Sequence, residues 1–586
     1  MWKYIKPYLP YALLAAAFMV GEVLMDLLQP RLMSRIVDEG VLGSGNGGTG
    51  DLQLIFTLGL TMVGLVLFGG FCGSMNNVFT HMAGQNIGNE IRKDCFRRIM
   101  TFSFPQMDSY GAGSLITRVT GDITQVQNFV SQFVRGMIRT SMLTLGSVYF
   151  LLRINRTFGL IVLCALPFML ACMTVCMVRA NPLLTRLQAR LDQINAIMQE
   201  DVTGIRTIKA CVRQTYEKLR FGEANEGLVK TQLRVLVIFA FMNPVVNALM
   251  YLAVGAILLA GSYQVGAGQT SPGVIMAAIT YTTQLLNGIL MLVMLFQNIS
   301  KGMASWRRVK EVLDSRPEME DGRFDGAADD DAAPRGKVQF RDVSFAFPGS
   351  GQTILKHINL TIEPGETVAI MGATGCGKTA LAGLIPRFYD VTDGAVLVDG
   401  VDVRRYSRQA LRAKVVTAMQ KSELFSLSVR DNIVWDSKGG GSDPEQRVRE
   451  AAAMAQAEAF IGEMPQGFDT PVAEQGASLS GGQKQRISIA RALFRPADVF
   501  IFDDATSALD LKTEAMLYEE LRRRRPNTTK IIIAQRIASV RQANRIVVLA
   551  DGGIEGCGTH EELLRTCKTY QDIYDSQIGK EGEKIG

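Results

Sequence analysis

The strongest chemical signal is the run Gly372-Ala-Thr-Gly-Cys-Gly-Lys-Thr379, which has the spacing G-x-x-x-x-G-K-[ST]. An apolar run, Thr367–Met371, precedes it and a helical pattern begins at Ala380. That is the strand–loop–helix context in which backbone N–H groups converge on phosphate oxygens. Gly372, Thr374, Gly375, Cys376, Gly377 and Ala380 are therefore expected phosphate contacts. Lys378 would bring charge to the outer phosphates, and the Thr379 hydroxyl would reach Mg²⁺. Downstream, Val499-Phe-Ile-Phe-Asp503-Asp504 reads as a buried strand ending in carboxylates, with Asp503 placed to hold the metal. The pair of motifs points to a nucleoside triphosphatase. A third run, Leu479-Ser480-Gly481-Gly482-Gln483, opens a helical pattern, so its N-terminal N–H groups form an anion-binding end.

The chain must also position these residues, and its composition says in what setting. It has 586 residues, 47% of them hydrophobic and only 20% charged. A length well above the ~100–200 residues of one domain implies several domains. Disorder is excluded by the apolar content. Nine dispersed cysteines exclude a disulfide scaffold. A net charge of +6 is too mild for nucleic-acid binding. Three separated histidines argue against a histidine metal site.

Charge is absent over 66 residues from Val235 to Ser300, 38 from Leu52 to Asn89 and 22 from Thr157 to Val178. About 20 apolar residues cross a bilayer. The expected spans are 9–33, 52–80, 130–152, 157–178, 235–260 and 273–298. The third is the weakest, because Arg135 and Arg139 interrupt it; its inner half projects from the bilayer or its arginines face a cavity. Glu22 and Asp26 interrupt the first, and no small-residue cleavage site follows, which excludes a signal peptide. Lysines and arginines before span 1, after spans 2 and 6 and between spans 4 and 5 put those segments in the cytoplasm. The two long connections, between spans 2 and 3 and between spans 4 and 5, read as helices running on into the cytoplasm. They are expected to reverse near Phe104–Gly121 and Gly222–Gly227.

Residues 1–310 thus form a transmembrane domain. Residues 311–336 carry nine acidic and three basic residues and read as a solvated acidic linker. In 337–578, apolar runs at Thr367–Met371, Ala395–Val398, Val499–Phe502 and Lys530–Ala534 alternate with helical patterns, so this is an α/β domain; 579–586 is a tail. The fold class is a membrane all-α domain of six helices with long cytoplasmic extensions, joined to an α/β phosphate-loop domain.

The phosphate loop, the Leu479–Gln483 signature and Ser507-Ala-Leu-Asp510 together resemble an ATP-binding cassette. With six spans ahead, nearly the whole chain resembles a half-transporter of the ABC exporter superfamily, an integral protein of the bacterial plasma membrane with a cytoplasmic cassette. The resemblance implies ATP and Mg²⁺ as ligands and a second half-transporter as partner. It implies that Phe347 stacks on adenine and that Gln420 senses metal and γ-phosphate. Ser480, Gly481, Gly482 and Gln483 would close over the partner's ATP, and Asp510 would lie at the dimer interface. The turns near Phe104–Gly121 and Gly222–Gly227 would be coupling helices. Two positions depart from the family: Asp504 stands where it has a catalytic glutamate, and Gln535 where it has a histidine. Asp is one methylene shorter, and glutamine cannot carry imidazolium charge. Beside an intact signature, both changes resemble the degenerate-site subunit of heterodimeric bacterial exporters, with hydrolysis at the partner's site.

Expected substrates are small hydrophobic or amphipathic compounds in contact with membrane lipid. The alternatives are a lipid or lipopeptide flippase and a regulatory ATP-binding module without transport. With no peptidase domain ahead of span 1, a leader-peptide-cleaving exporter is disfavoured. If Glu22 or Asp26 faces the translocation path, neutralising it should alter selectivity among cationic substrates.

Overall fold

The computed structural model describes residues 1–43, 50–325, 335–435 and 444–582. They form two units: Met1–Met100 with Gly113–Ser315, and Thr101–Ala112 with Arg316–Gly586. The first is all helix. Its long members are α1 (Leu9–Arg35) and α2 (Leu52–Ile99), then, beyond α3 (Phe104–Tyr110) of the other unit, α4 (Ile123–Ile154), α5 (Arg156–Thr203), α6 (Gln214–Gly266) and α7 (Pro272–Asp314). Helices of 43 to 53 residues are far longer than a bilayer requires, so α2, α5, α6 and α7 continue beyond it, as their charge-free runs followed by charged ones imply.

Among the described residues, five helices are long and apolar enough to cross a membrane: those containing α1, α2, α5 and α6, and Pro272–Leu292 of α7. The expected third span, within α4, is not one of them. Its arginines turn toward neighbouring helices. Arg139 pairs with Glu22 and, at 3.2 Å, with Asp26 of α1. Arg135 donates to Asn77 Oδ1 of α2 at 2.6 Å. Glu22 and Asp26 thus share one guanidinium across a helix interface, a pairing by which charges at membrane depth are accommodated. Tyr281 of α7 donates to the Leu27 carbonyl at 2.6 Å, and Asp38 accepts from Gly273 N at 2.7 Å, capping the start of α7. A Cβ at Gly273 would meet the Asp38 carboxylate at 2.5 Å, so only glycine allows that approach.

The second expected reversal is in the wrong place. Gly222 and Gly227 lie inside α6; the chain turns at Gly204 and at Cys211–Arg213, where Val212 takes a positive φ of 53°. A Cβ at Gly227 would make only an ordinary contact, 3.5 Å, with the Arg190 guanidinium of α5, and one at Gly222 would meet nothing, so both positions are accommodated within the helix. The segment Thr101–Ala112, which overlaps the first expected reversal at Phe104–Gly121, folds as part of the second unit.

That unit has two sheets. β1 (Val338–Ala346), β2 (Thr353–Ile362), β4 (Asp393–Val398) and β5 (Val401–Asp402) form an antiparallel sheet in the order β2-β1-β4-β5. β3 (Thr367–Gly372), β6 (Val415–Ala418), β7 (Val499–Asp503), β8 (Thr529–Ile533), β9 (Arg545–Ala550) and β10 (Gly553–Gly558) form the other, in the order β10-β9-β3-β8-β7-β6. Its central pairs are parallel. The four strand-like runs of the sequence fall on β3, β4, β7 and β8. The residues of β7 and β8 are buried throughout, as expected for strands covered on both faces. Parallel β3 and β7 both end, at their carboxyl ends, on the functional motifs, where ligands bind in such sheets.

The linker is only partly solvated. Residues 311–314 finish α7. Met319 is buried, Phe324 bridges to Tyr406, and Asp321 accepts from Arg408 N at 2.7 Å. Met319 and Phe324 are the large apolar residues of that stretch, and burying them draws it onto the domain. Asp329–Asp331 lies outside the described residues. At the other end, helix Lys568–Gly582 continues past the expected boundary at 578.

Candidate functional site

β3 delivers the phosphate loop to the mouth of a cleft of about 510 Å³, and α8 (Lys378–Leu384) leaves from it. Phe347, Thr374, Gly375, Gly377, Lys378, Thr379 and Ala380 line this cleft, together with Gln420, Asp503, Asp504 and Gln535. Residues expected to act together, drawn from across nearly 190 positions of sequence, thus converge. Gly377 has φ +98°, and a Cβ there would meet Leu355 Cδ2 at 2.8 Å; the loop requires glycine at this point. Gly372 and Cys376, also expected to contact phosphate, are not among the residues that line the cleft. Lys378 Nζ donates to the Gly372 and Ala373 carbonyls, both at 2.8 Å.

Thr379 Oγ1 donates to Asp503 Oδ1 at 2.9 Å. This joins a hydroxyl and a carboxylate, the hard oxygen ligands that suit Mg²⁺. Burial raises the Asp503 carboxyl above the usual aspartate range, opposed by the Thr379 hydrogen bond. Asp504 is raised too, chiefly by burial, and the Gln420 hydrogen bond works against that rise. Asp504 takes a positive φ of 49°. Its Oδ2 accepts from Gln420 Nε2 and Gln535 Nε2, each at 3.2 Å. The two amides thus hold a single carboxylate oxygen from either side.

Phe347 stands against Tyr389, ring centroids 5.2 Å apart and nearly perpendicular. Sequence reasoning did not single out Tyr389. Its hydroxyl donates to Asp108 Oδ2 at 2.7 Å, while Phe104 stacks on Phe388 at 4.4 Å and Arg412 of α9 (Arg408–Lys414) covers both rings. Burial and Asp108 push the Tyr389 hydroxyl well up. No spacing rule announces these partners, which lie 281 positions apart. Arg536 was also missed; it ties the Ser507 and Leu509 carbonyls beside Gln535.

Ser480–Gln483 is not in the cleft of its own chain. Ser480 caps α10 (Gly481–Phe494) with a reciprocal box: Ser480 Oγ accepts from Gln483 N at 3.3 Å, and Gln483 Oε1 accepts from Ser480 N at 2.9 Å. Asp510 caps α11 (Leu511–Arg524), accepting from Thr513 N at 3.1 Å.

Residues 12–289 match the ABC transporter transmembrane region and residues 355–507 the ABC transporter family. The chain is 35% identical to the ABC transporter ATP-binding protein YfiB of Bacillus subtilis (strain 168), over 99% of both chains. The chain belongs to the ABC transporter family. It is also 33% identical to an ATP-dependent lipid A-core flippase of Syntrophus aciditrophicus, covering 92% of this transporter and 88% of that protein. A solved bacterial Atm1-family ABC exporter with ATP bound shares the fold, with TM-score 0.77, 24% identity and 98% of each chain covered. The transporter has fused transmembrane and ATP-binding domains, is integral to the plasma membrane and holds its ATPase domain in the cytoplasm.

The donor set of the cleft fits ATP with Mg²⁺: a glycine loop, a buried lysine, the Thr379–Asp503 oxygen pair and an aromatic wall. Two consequences can be measured. Lys378→Ala should weaken nucleotide binding at this site about ten- to a hundredfold, the scale of charge-assisted bonds; unchanged affinity by equilibrium titration would mean the loop does not bind phosphate. Asp503→Asn should raise the melting temperature of the nucleotide-free cassette near pH 8. The raised Asp503 carboxyl disfavours its ionised form in the fold, so the native chain gains stability as pH falls and loses it as pH rises. The gap should therefore close as pH drops toward ~4. A wild-type cassette more stable than the variant at pH 8 would contradict this.

Proposed function

We propose that this chain is one half of a heterodimeric ATP-driven exporter of hydrophobic or amphipathic compounds. On this reading its own nucleotide site binds ATP and hydrolyses it poorly, and its signature completes the partner's active site. One observation carries the reading: the Asp504 carboxylate, shorter than a glutamate, is bonded by the amides of Gln420 and Gln535.

Within the cleft, Lys378 and the loop N–H groups would hold the phosphates. Thr379 and Asp503 would hold Mg²⁺, assisted by Gln420. Mg²⁺ supplies charge neutralisation when bound. Phe347 offers its ring to adenine. Asp504 would orient water less well than glutamate, and Gln535 offers a neutral hydrogen bond to phosphate. Tyr389, Phe388 and Arg412 grip α3 at the rim of the same cleft, so movement there would pass to the segment 101–112 as a coupling helix.

A second reading of the cargo, a membrane lipid, draws on relatives 30–33% identical that are named ATP-dependent lipid A-core flippase. Proteoliposomes holding this chain and its partner should show ATP-dependent movement of an amphipathic dye or of a labelled lipid, and which one moves separates the two readings. No nucleotide-dependent movement of either would refute export.

A further inference from the structure

A side chain near the end of the chain grips the wall of the nucleotide cleft. α12 (Ile537–Val540) begins two residues after Gln535, and α13 (Lys568–Gly582) is the last helix among the described residues. Gln577 of α13 accepts from Ile537 N at 2.8 Å and donates to the Gln535 carbonyl at 2.7 Å. Arg536 between them is extended, with φ −97° and ψ 129°, so the carbonyl before it and the N–H after it face the same way. One side-chain amide therefore satisfies both, as a neighbouring strand would.

The grip is anchored on both sides. Tyr570, Ile573, Tyr574 and Gln577 recur at the spacing of one helix face. Tyr570 is fully buried with its hydroxyl 2.7 Å from His560 Nδ1, and Ile573 and Tyr574 pack on the core that contains Ile537. Toward the cleft, Gln535 Nε2 donates to Asp504 Oδ2, and Arg536 donates to the Ser507 and Leu509 carbonyls. These bonds hang from a short stretch of backbone that a residue 42 positions downstream of Gln535 holds in place. Ile537 is buried, so its N–H would be a costly orphan without that partner.

We infer that Gln577 is a positioning residue of the nucleotide site. From the C-terminal helix it fixes the backbone that carries Gln535 and Arg536, and so sets how firmly Gln535 holds the outer phosphate. This rests on the proposed hydrogen bond of Gln535 to phosphate and adds to it the residue that keeps Gln535 in place.

The test uses the full chain in nanodiscs with Mg²⁺, where every phosphate loop is this chain's own, and titrates ADP and the non-hydrolysable analogue AMP-PNP. Both nucleotides reach the phosphate loop, but only AMP-PNP carries an outer phosphate for Gln535. Gln577→Ala should weaken AMP-PNP about fivefold, the scale of one hydrogen bond, and leave ADP within about twofold. Gln577→Glu keeps the length and the acceptor but sets a carboxylate against the Gln535 carbonyl, so it should bind as the alanine variant does. Gln535→Ala should show the same selective loss, and adding Gln577→Ala to it should cost nothing further, since both changes remove one interaction. Equal weakening of both nucleotides by Gln577→Ala, no weakening of either, or native binding by Gln577→Glu would overturn the inference, and a selective loss in Gln535→Ala would still leave the phosphate role of Gln535 standing. Unchanged AMP-PNP affinity in Gln535→Ala would refute that role itself, and the inference with it.

Discussion

Ser480→Arg should lower ATP hydrolysis by the mixed dimer on the order of 10²-fold, the loss expected when a reacting group is no longer held in place. Ser480 accepts from Gln483 N at the start of α10, leaving N–H groups there directed outward. An arginine would remove the cap, set a cation against the positive end of the helix and fill the space an anion would take. Ser480→Ala removes only the cap, about 1 kcal/mol, and should retain most turnover. ATPase assays on both variants separate a blocked anion site from a weakened helix. If Ser480→Arg left turnover intact, the signature would have no part in hydrolysis.

The converse experiment adds function. Asp504→Glu combined with Gln535→His should raise hydrolysis at this chain's own site by about 10²-fold, since roughly 1 Å of reach at a reacting centre is worth that much. Asp504 Oδ2 is bonded to two amides. A glutamate adds the missing methylene, and a histidine offers a proton-carrying ring in place of an amide that cannot be charged. The measurement is turnover in dimers whose partner site has been silenced. No gain from the double variant would show that the limitation lies elsewhere in the site.

What was legible in the sequence was what is local. The phosphate loop, the Val499–Asp503 strand and the four apolar runs were readable because backbone conformation and burial imprint short, fixed patterns. The cleft residues come together because β3 and β7 are parallel strands of one sheet. Non-local features left no such imprint. Glycine normally punctuates the chain, so Gly222 and Gly227 read as a turn, yet the long helix α6 runs straight through both. The arginines of α4 read as defects in a span until Glu22 and Asp26 were found opposite one of them. The Tyr389–Asp108 bond joins elements that no periodicity relates. Met319 and Phe324, scattered in an acidic stretch, gave no pattern from which their burial could be read.

Asymmetry between two nucleotide sites is the central claim, and vanadate trapping of a radiolabelled photoreactive ATP analogue on the purified mixed dimer tests it most directly. Trapping marks the chain whose phosphate loop holds nucleotide at the hydrolysing site. The account predicts label on the partner subunit, little on this chain, and a pattern barely changed by Asp504→Asn. Equal label on both chains, or full substrate-stimulated trapping by a homodimer of this chain alone, would contradict it.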